Sequence, residues 1–378
     1  MEVIQDTKDI MAYFEATFPA TSNATVPPVG RGLMHAILPP TPKRAFAASV
    51  LELLADEWLL LQAMYWRWGD GVHDVPAFNA QLSFLEYEFG RTSTSADPAA
   101  STKKIREVGH TRLQRFKGSL PGLGITPETS PALREQFDRL LAAMETHFEQ
   151  QPFLLGKTIT LVDFAWFGPF YAHLGRDPIP SAMIKMRAPR TWEWIERVGG
   201  LGRNHGQGVQ RWAGGSLVDE YAEGVKAQHK EGDSVPDTLS EVVGFLLKDY
   251  LRVLRQTVRT AKAYVSEQRR SGSTVSTKLP RALGHCKVLL SRKDGSEADG
   301  QKLTSTHSLW ALQRILDKTC RTQEQQQAAH GWLESVGGSD LTELWEGLSS
   351  DWRDSGYHIA REENQLVATA GEGVGAKL

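Results

Sequence analysis

Apolar residues recur at steps of three and four along most of this chain, which is the spacing of one face of an α-helix. The clearest run lies between residues 44 and 68, where these large side chains keep the spacing: Phe46, Val50, Leu53, Leu54, Trp58, Leu61, Met64 and Trp68. Gly69-Asp70-Gly71 follows and predicts the end of that helix. The same pattern predicts further helices near 8–18, 76–90, 99–117, 130–150, 160–175, 189–198, 237–270, 305–320 and 323–336.

One stretch departs from the helical pattern. His285 to Leu290 is largely apolar with strand character, and Lys293-Asp294-Gly295 supplies a turn after it. We therefore predict a small β-hairpin near 284–304. The rest of the chain predicts an all-α protein, with this hairpin inside a helical extension.

A helix start signal lies at Thr160. Its hydroxyl can cap the first turn, and Asp163 three residues later can accept a hydrogen bond from the free amide of Thr160, which is a capping box. The residues that follow, 164–174, are apolar or aromatic nearly all round, as expected of a helix surrounded by protein. We assign Thr160 and Asp163 a structural role.

The charge and hydropathy of the chain argue against some classes of function. The chain has 378 residues and a formal net charge of −2, so no basic field favours nucleic acid. No apolar run approaches the roughly 18 residues that a membrane helix needs, so we expect no membrane insertion. The first residues carry no readable targeting signal, and we expect a cytoplasmic protein or one inside an organelle.

Several catalytic and metal-binding patterns are missing from the sequence. Cys286 and Cys320 are far apart and have neither metal nor redox spacing, and the histidines form no His-Glu-x-x-His motif, so we expect no metal. The glycine-rich run at 199–206 fails the dinucleotide fingerprint because its third glycine is displaced. We predict a loop over 199–215.

An ordered set of segments resembles one family. Residues 53–59 with Tyr65-Trp66-Arg67-Trp68 resemble the first long helix of the helical domain in bacterial-type glutathione transferases. Residues 152–156 and then 160–174 resemble that family's loop and core helix, and 236–258 with 279–284 resemble its extended C-terminal region. The resemblance implies a glutathione transferase C-terminal-like helical bundle.

The resemblance also implies a division of the chain. Residues 1–18 resemble the last helix of a thioredoxin-like domain, and the Pro-rich stretch 19–43 is expected to be a linker. The helical domain then covers 44–215, and the extension covers 236–340. Residues 365–378 are small and polar, and we expect a flexible tail there.

Two sets of site residues follow from the resemblance. Asp6 and Thr7 match the acidic-hydroxyl pair that holds the γ-glutamyl end of glutathione at a helix N-terminus, although Asp and Thr are common helix caps and capping alone is the more frequent role of such a pair. In the family the first long helix lines the site of the hydrophobic co-substrate. That assigns a candidate wall whose members could instead be packing or surface residues: Trp58, Tyr65, Arg67 and Trp68.

One difference from the family determines which function we expect of this chain. Upstream of Asp6 the sequence has no counterpart of the thioredoxin-like half that carries the thiol-activating Tyr, Ser or Cys. We therefore expect a glutathione transferase-like protein without independent catalysis. The alternatives are an active transferase that uses glutathione once that half is supplied, or an assembly subunit. In the last case a protein partner or a second copy of the chain would cover the apolar face of helix 8–18.

Overall fold

The computed structural model consists mainly of α-helices. It describes residues 7–17, 37–69, 78–93, 99–203, 210–213, 216–219, 232–270, 276–362 and 365–370. In chain order the helices are α1 Thr7–Thr17, α2 Pro42–Glu57, α3 Leu59–Trp68, α4 Phe78–Ser93, α5 Thr102–Lys117, α6 Leu120–Leu123, α7 Ser130–Gln150, α8 Leu161–Pro169, α9 Pro178–Arg187, α10 Pro189–Arg203, α11 Thr238–Arg270, α12 Thr306–Thr319 and α13 Gln323–Arg353. A π-helical turn, Phe170–Leu174, follows α8 directly.

The strands form three small antiparallel sheets. Their bounds are β1 Gln210–Ala213, β2 Ser216–Asp219, β3 Ser276–Lys278, β4 Ala282–Ser291, β5 Glu297–Ser305, β6 Tyr357–Glu362 and β7 Gln365–Ala370. β1 pairs with β2, β4 pairs with β5, and the third sheet has the order β3-β7-β6. The predicted hairpin near 284–304 is confirmed by β4 and β5, whose register closes at Ser291 opposite Glu297. The prediction of a mostly helical protein also holds.

Two predictions about irregular segments are wrong. The stretch 199–215 is not all loop, because α10 continues to Arg203 and β1 begins at Gln210. Residues 365–370 are not a flexible tail, because β7 is the central strand of its sheet and pairs with both β3 and β6. Val367 and Ala368 in β7 are 1% and 0% exposed, so burial holds the strand in place. Residues 371–378 lie outside the described residues.

Two predicted helices have different limits in the structure. The helix predicted over 44–68 begins earlier, at Pro42 inside the predicted linker, and breaks at Trp58, where α2 ends and α3 starts. The helix predicted over 323–336 runs to Arg353 as α13, with a kink at Gly337 and Gly338. Gly338 has φ +65° and ψ −161°, a backbone region that glycine alone adopts readily.

The predicted extension does not form a separate unit. Phe46 of α2 packs edge-on against Trp332 and Trp345 of α13, with ring centroids 5.7 and 4.9 Å apart. Gln136 of α7 donates to Asp249 of α11 over 2.7 Å. The segments predicted as 44–215 and 236–340 therefore share one hydrophobic core, and that core extends past residue 340 to β6 and β7.

The carboxylate of Asp163 accepts hydrogen bonds at the start of α8, as the predicted capping box requires. One carboxylate oxygen accepts from the amide and the hydroxyl of Thr160, over 2.9 and 3.2 Å. The other accepts from the amide of Leu154 at 2.9 Å and from the indole of Trp194 at 3.0 Å. Burial raises the pKa of Asp163 to about 6, whereas these four donors favour the ionised form. The residue thus joins three segments as well as capping one helix.

Two neighbouring residues of α1, one basic and one acidic, form ion pairs with the rest of the protein. Lys8 lies 2.7 Å from both Glu52 and Asp56 of α2. The next residue, Asp9, pairs with Arg314 of α12 at 3.0 Å and with Arg361 of β6 at 3.3 Å. These ion pairs hold α1 against α2, α12 and β6.

We expect Asp163→Ala to lower the free energy of unfolding by about 3 kcal/mol, because it leaves buried amide and indole donors unpaired. Asp163→Asn should cost less, since it keeps one acceptor oxygen. Urea unfolding followed by tryptophan fluorescence measures both. The control is Asp138→Ala, which removes an exposed ion pair with Arg187 and should cost less than about 1 kcal/mol. Equal losses for Asp163→Ala and Asp138→Ala would contradict the assignment.

Candidate functional site

A buried ion pair between Arg67 and Asp177 lies at the centre of the candidate site. Arg67 is in the last turn of α3, and Asp177 immediately precedes α9. The guanidinium Nε donates to Oδ2 over 2.7 Å and Nη2 donates to Oδ1 over 2.8 Å, a bidentate arrangement. The side chains are 10% and 1% exposed. Burial raises the pKa of Asp177, and the hydrogen bonds from Arg67 oppose that rise.

A π-helical turn lies directly beside this pair. It covers Phe170–Leu174, and the amide of Gly175 donates to the carbonyl of Phe170 over 2.6 Å. Arg67 Nη2 also donates to the carbonyl of Ala172 in this turn, over 3.0 Å. π-turns are rare and occur frequently at functional sites. The same guanidinium therefore holds the turn and the start of α9 together.

His173 in the π-turn is a titratable group with an unusual environment. Its Nδ1 is buried and has no hydrogen-bond partner among the described residues. Burial, and then the positive charge of Arg67, lower the pKa of His173 to about 4. The imidazole is therefore neutral at physiological pH.

Arg67, Asp177 and two residues of the π-turn, Tyr171 and Ala172, border an open pocket, which we name the Arg67 pocket. It encloses about 700 Å³ including its mouth. Half of its lining is aromatic or aliphatic, and four of its side chains are charged; the lining residues are Arg67, Phe84, Leu85, Glu88, Phe89, Thr92, Tyr171, Ala172, Arg176 and Asp177. Such a mixture suits an apolar ligand with one polar end. Within the described residues, Arg67 Nη1 has no hydrogen bond and can donate to such an end.

Part of the helical structure matches a known family. Residues 127–197, from just before α7 into α10, match the family model described as glutathione S-transferase, C-terminal domain. The chain contains a glutathione S-transferase C-terminal-like domain. Comparison with curated proteins and with solved structures gives no significant match.

The glutathione S-transferase-like domain contributes only part of the Arg67 pocket. The π-turn, Arg176 and Asp177 lie within the matched residues 127–197. Arg67 and the α4 side chains precede the match. The pocket is therefore formed where the recognised domain meets the helices that come before it.

The predicted co-substrate wall is divided between pocket and core. Arg67 lines the pocket, but Trp58, Tyr65 and Trp68 are 2%, 1% and 5% exposed. Trp58 packs against Tyr250 of α11, with ring centroids 5.5 Å apart. Trp68 contacts the pocket only indirectly, through Phe89 at 5.6 Å. A role for these four residues in binding a co-substrate remains a prediction.

The predicted glutathione contacts cannot be placed. Asp6 lies outside the described residues, and so does the side chain of Thr7, although its backbone begins α1. Their role in binding glutathione also remains a prediction.

A second buried polar cluster lies between α2 and α12, and the sequence analysis did not predict it. Glu57 at the end of α2 accepts from Ser308 over 2.8 Å and lies 3.2 Å from Nδ1 of His307, both at the start of α12. Burial alone would raise the pKa of Glu57, but these hydrogen bonds bring it below its ordinary value. Nearby Lys302 is 6% exposed, and burial lowers its pKa. No local motif predicts contacts between residues so distant in sequence.

Both thiols are poor nucleophiles in this fold. Cys286 is buried in β4, and Cys320 directly follows α12. Burial raises the pKa of Cys286, and it raises the pKa of Cys320 to about 11. Because the thiolate is the reactive form, neither residue is activated at neutral pH.

Two further surveys concern the described residues only. No group of three or more His, Cys, Asp or Glu side chains in that part of the chain is arranged to hold a metal ion. None of the helices described there is long and apolar enough to cross a membrane.

We expect Arg67→Met to lower the free energy of unfolding by about 3 kcal/mol, because it leaves the carboxylate of Asp177 buried without its partner. The double variant Arg67→Met/Asp177→Leu should recover part of the loss, which a double-mutant cycle in urea measures. Arg187→Met is the control, since Arg187 belongs to an exposed pair with Asp138. The buried-pair interpretation fails if Arg67→Met costs no more than Arg187→Met.

Proposed function

We propose that this chain is a glutathione S-transferase-like helical module that does not catalyse thiol transfer on its own. The observation that carries the proposal is the packing of the predicted co-substrate wall. Three of its four side chains are at most 5% exposed, and Arg67 is engaged by Asp177. A hydrophobic acceptor would have to displace core packing to reach Trp58 or Tyr65.

The rest of the described structure supports the same proposal. A glutathione transferase activates its thiol on a thioredoxin-like sheet, whereas the sheets among the described residues have two or three antiparallel strands. The two thiols of the chain have raised pKa values. Neither a thiol-activating surface nor a reactive cysteine is therefore present in the part of the chain that the structure describes.

An assay with glutathione and 1-chloro-2,4-dinitrobenzene tests this function. We expect the purified protein to give no rate above the uncatalysed reaction, with an active glutathione transferase assayed in parallel. Turnover that saturates in both substrates would overturn the proposal. If that turnover were lost in Asp6→Ala and Thr7→Val, the second candidate would replace it: an active transferase that binds glutathione at Asp6 and Thr7.

Assembly through α1 is the role we propose for the module. The inner side of α1 is held by the ion pairs of Lys8 and Asp9, while Ile10 on the same helix is 37% exposed. A fixed helix that presents an apolar side chain suits association with a second copy of the chain.

Ile10→Glu should shift the protein from dimer to monomer, because a charge in an apolar contact must be desolvated. Light scattering coupled to size-exclusion chromatography measures the mass. Met186→Glu is a matched control, since Met186 is 75% exposed on α9, far from α1 in sequence, and should leave the dimer intact. A wild-type protein that is monomeric at cellular concentration, or an unchanged Ile10→Glu dimer, would contradict assembly through α1.

A further inference from the structure

A polar groove lies between α11 and α13, outside the matched residues 127–197 and apart from the Arg67 pocket. We name it the Gly347 groove. It has a volume of about 350 Å³, or about 660 Å³ including its mouth. α11 lines it with three basic side chains and α13 with two acidic ones, namely Lys248, Arg252, Arg255, Asp340 and Glu343.

Gly347 gives the guanidinium of Arg255 a defined place on α13. A Cβ atom at position 347 would lie 2.5 Å from Nη1 and 2.7 Å from Nη2 of Arg255, so a larger residue would displace the guanidinium. Nε of Arg255 donates to Asp351 over 2.6 Å. Nη1 and Nη2 have no hydrogen bond among the described residues. The guanidinium is therefore held at the groove with two nitrogen atoms left to donate to a ligand.

The charges at the Gly347 groove balance in number. The cations that line it or share its ion pairs are Lys248, Arg252, Arg255 and Arg259, and the carboxylates are Glu297, Asp340, Glu343 and Asp351. Lys248 pairs with Asp340 at 2.7 Å, and Arg252 pairs with Glu297 of β5. The groove therefore favours a ligand without net charge over an anion or a cation.

The same charges are unevenly distributed along α13. Arg255 and Arg259 share the one carboxylate of Asp351, at 2.6 and 2.8 Å, which leaves positive charge in excess beside Gly347. Glu343 precedes Gly347 by four residues, is exposed and has no ion pair or hydrogen bond among the described residues. Four residues of α-helix rise about 6 Å. A positive and a negative excess are thus separated by about one helical turn.

We propose that the Gly347 groove binds a free aliphatic α-amino acid as its zwitterion. The ligand carboxylate accepts from Nη1 and Nη2 of Arg255, the bidentate geometry that a guanidinium favours. The ligand ammonium donates to the carboxylate of Glu343. Leu344, which also lines the groove and is only partly buried, contacts the aliphatic side chain.

The separation of the two charges selects this ligand class. In a peptide the ammonium and the carboxylate lie at opposite ends of the chain, whereas a free amino acid carries them on one carbon atom. The compact zwitterion can therefore reach Arg255 and Glu343 together. This binding requires neither thiol chemistry nor assembly through α1.

Saturation-transfer NMR titration of the full chain with L-leucine tests the proposal. The matched ligands are 4-methylpentanoate, which lacks the ammonium group, and 3-methylbutylamine, which lacks the carboxylate. We expect saturable binding of L-leucine, with the affinity for each matched ligand lower by about tenfold, because one charge-assisted hydrogen-bonding partner is lost.

Two variants separate the roles of the two ends of the groove. Gly347→Ala should weaken L-leucine binding by about tenfold, because the added methyl group displaces the Arg255 guanidinium while every charge remains. Alanine favours a helix more than glycine does, so this variant should remain folded. Glu343→Gln should weaken L-leucine binding by about tenfold without weakening 4-methylpentanoate binding, since only the ammonium group contacts Glu343.

Each variant has a matched control on α13. Gly331→Ala adds a methyl group where no atom lies within 4 Å, and Glu346→Gln removes a carboxylate that does not line the groove. Both should leave L-leucine binding unchanged. Absence of saturable L-leucine binding to the wild type overturns the proposal. Equal affinity for the matched ligands, or unchanged affinity in Gly347→Ala and Glu343→Gln, also overturns it. None of these results depends on whether the chain conjugates glutathione or dimerises.

Discussion

The hydrogen bonding of the Asp163 carboxylate is the constraint on which the helical domain depends. This group is fully buried, so its charge must be compensated by donors that the fold brings to it. Those donors come from Leu154 before α8, from Thr160 at the N-cap of α8 and from Trp194 in α10. One turn after Asp163, the indole of Trp166 donates to the carbonyl of Leu51 over 3.0 Å. This hydrogen bond from the first turns of α8 holds α2 against α8.

The position of α2 has consequences for the C-terminal half of the chain. α2 packs on α8 on one side and presents Phe46 to the tryptophans of α13 on another. Glu57 at its end receives hydrogen bonds from the first turn of α12. The helices after residue 236 are therefore built onto the glutathione S-transferase-like helices as part of one core. A domain boundary drawn from the change in sequence between 215 and 236 does not correspond to a boundary in packing.

Several buried carboxylates among the described residues are satisfied by partners within the fold, as expected of groups that stabilise it. Glu57, Asp163 and Asp177 each accept two or more hydrogen bonds. Groups without such partners are more informative, because an unpaired charge or nitrogen leaves an interaction for a ligand to make. His173 is of this kind, because its buried Nδ1 has no hydrogen-bond partner among the described residues.

The sequence alone determined the features that depend on neighbouring residues. Helical periodicity, the capping box at Thr160 and Asp163 and the turn of the β4–β5 hairpin are local patterns, and most helices appear within a few residues of their predicted limits. Only the tertiary structure decided the contacts between distant residues. Arg67 meets Asp177 across 110 positions, and Glu57 meets His307 across 250. β7 is mostly apolar, but so short a segment becomes a central strand only when β3 and β6 are placed on either side of it. Such pairings are selected by burial and hydrogen bonding in the assembled core, and no spacing along the chain encodes them.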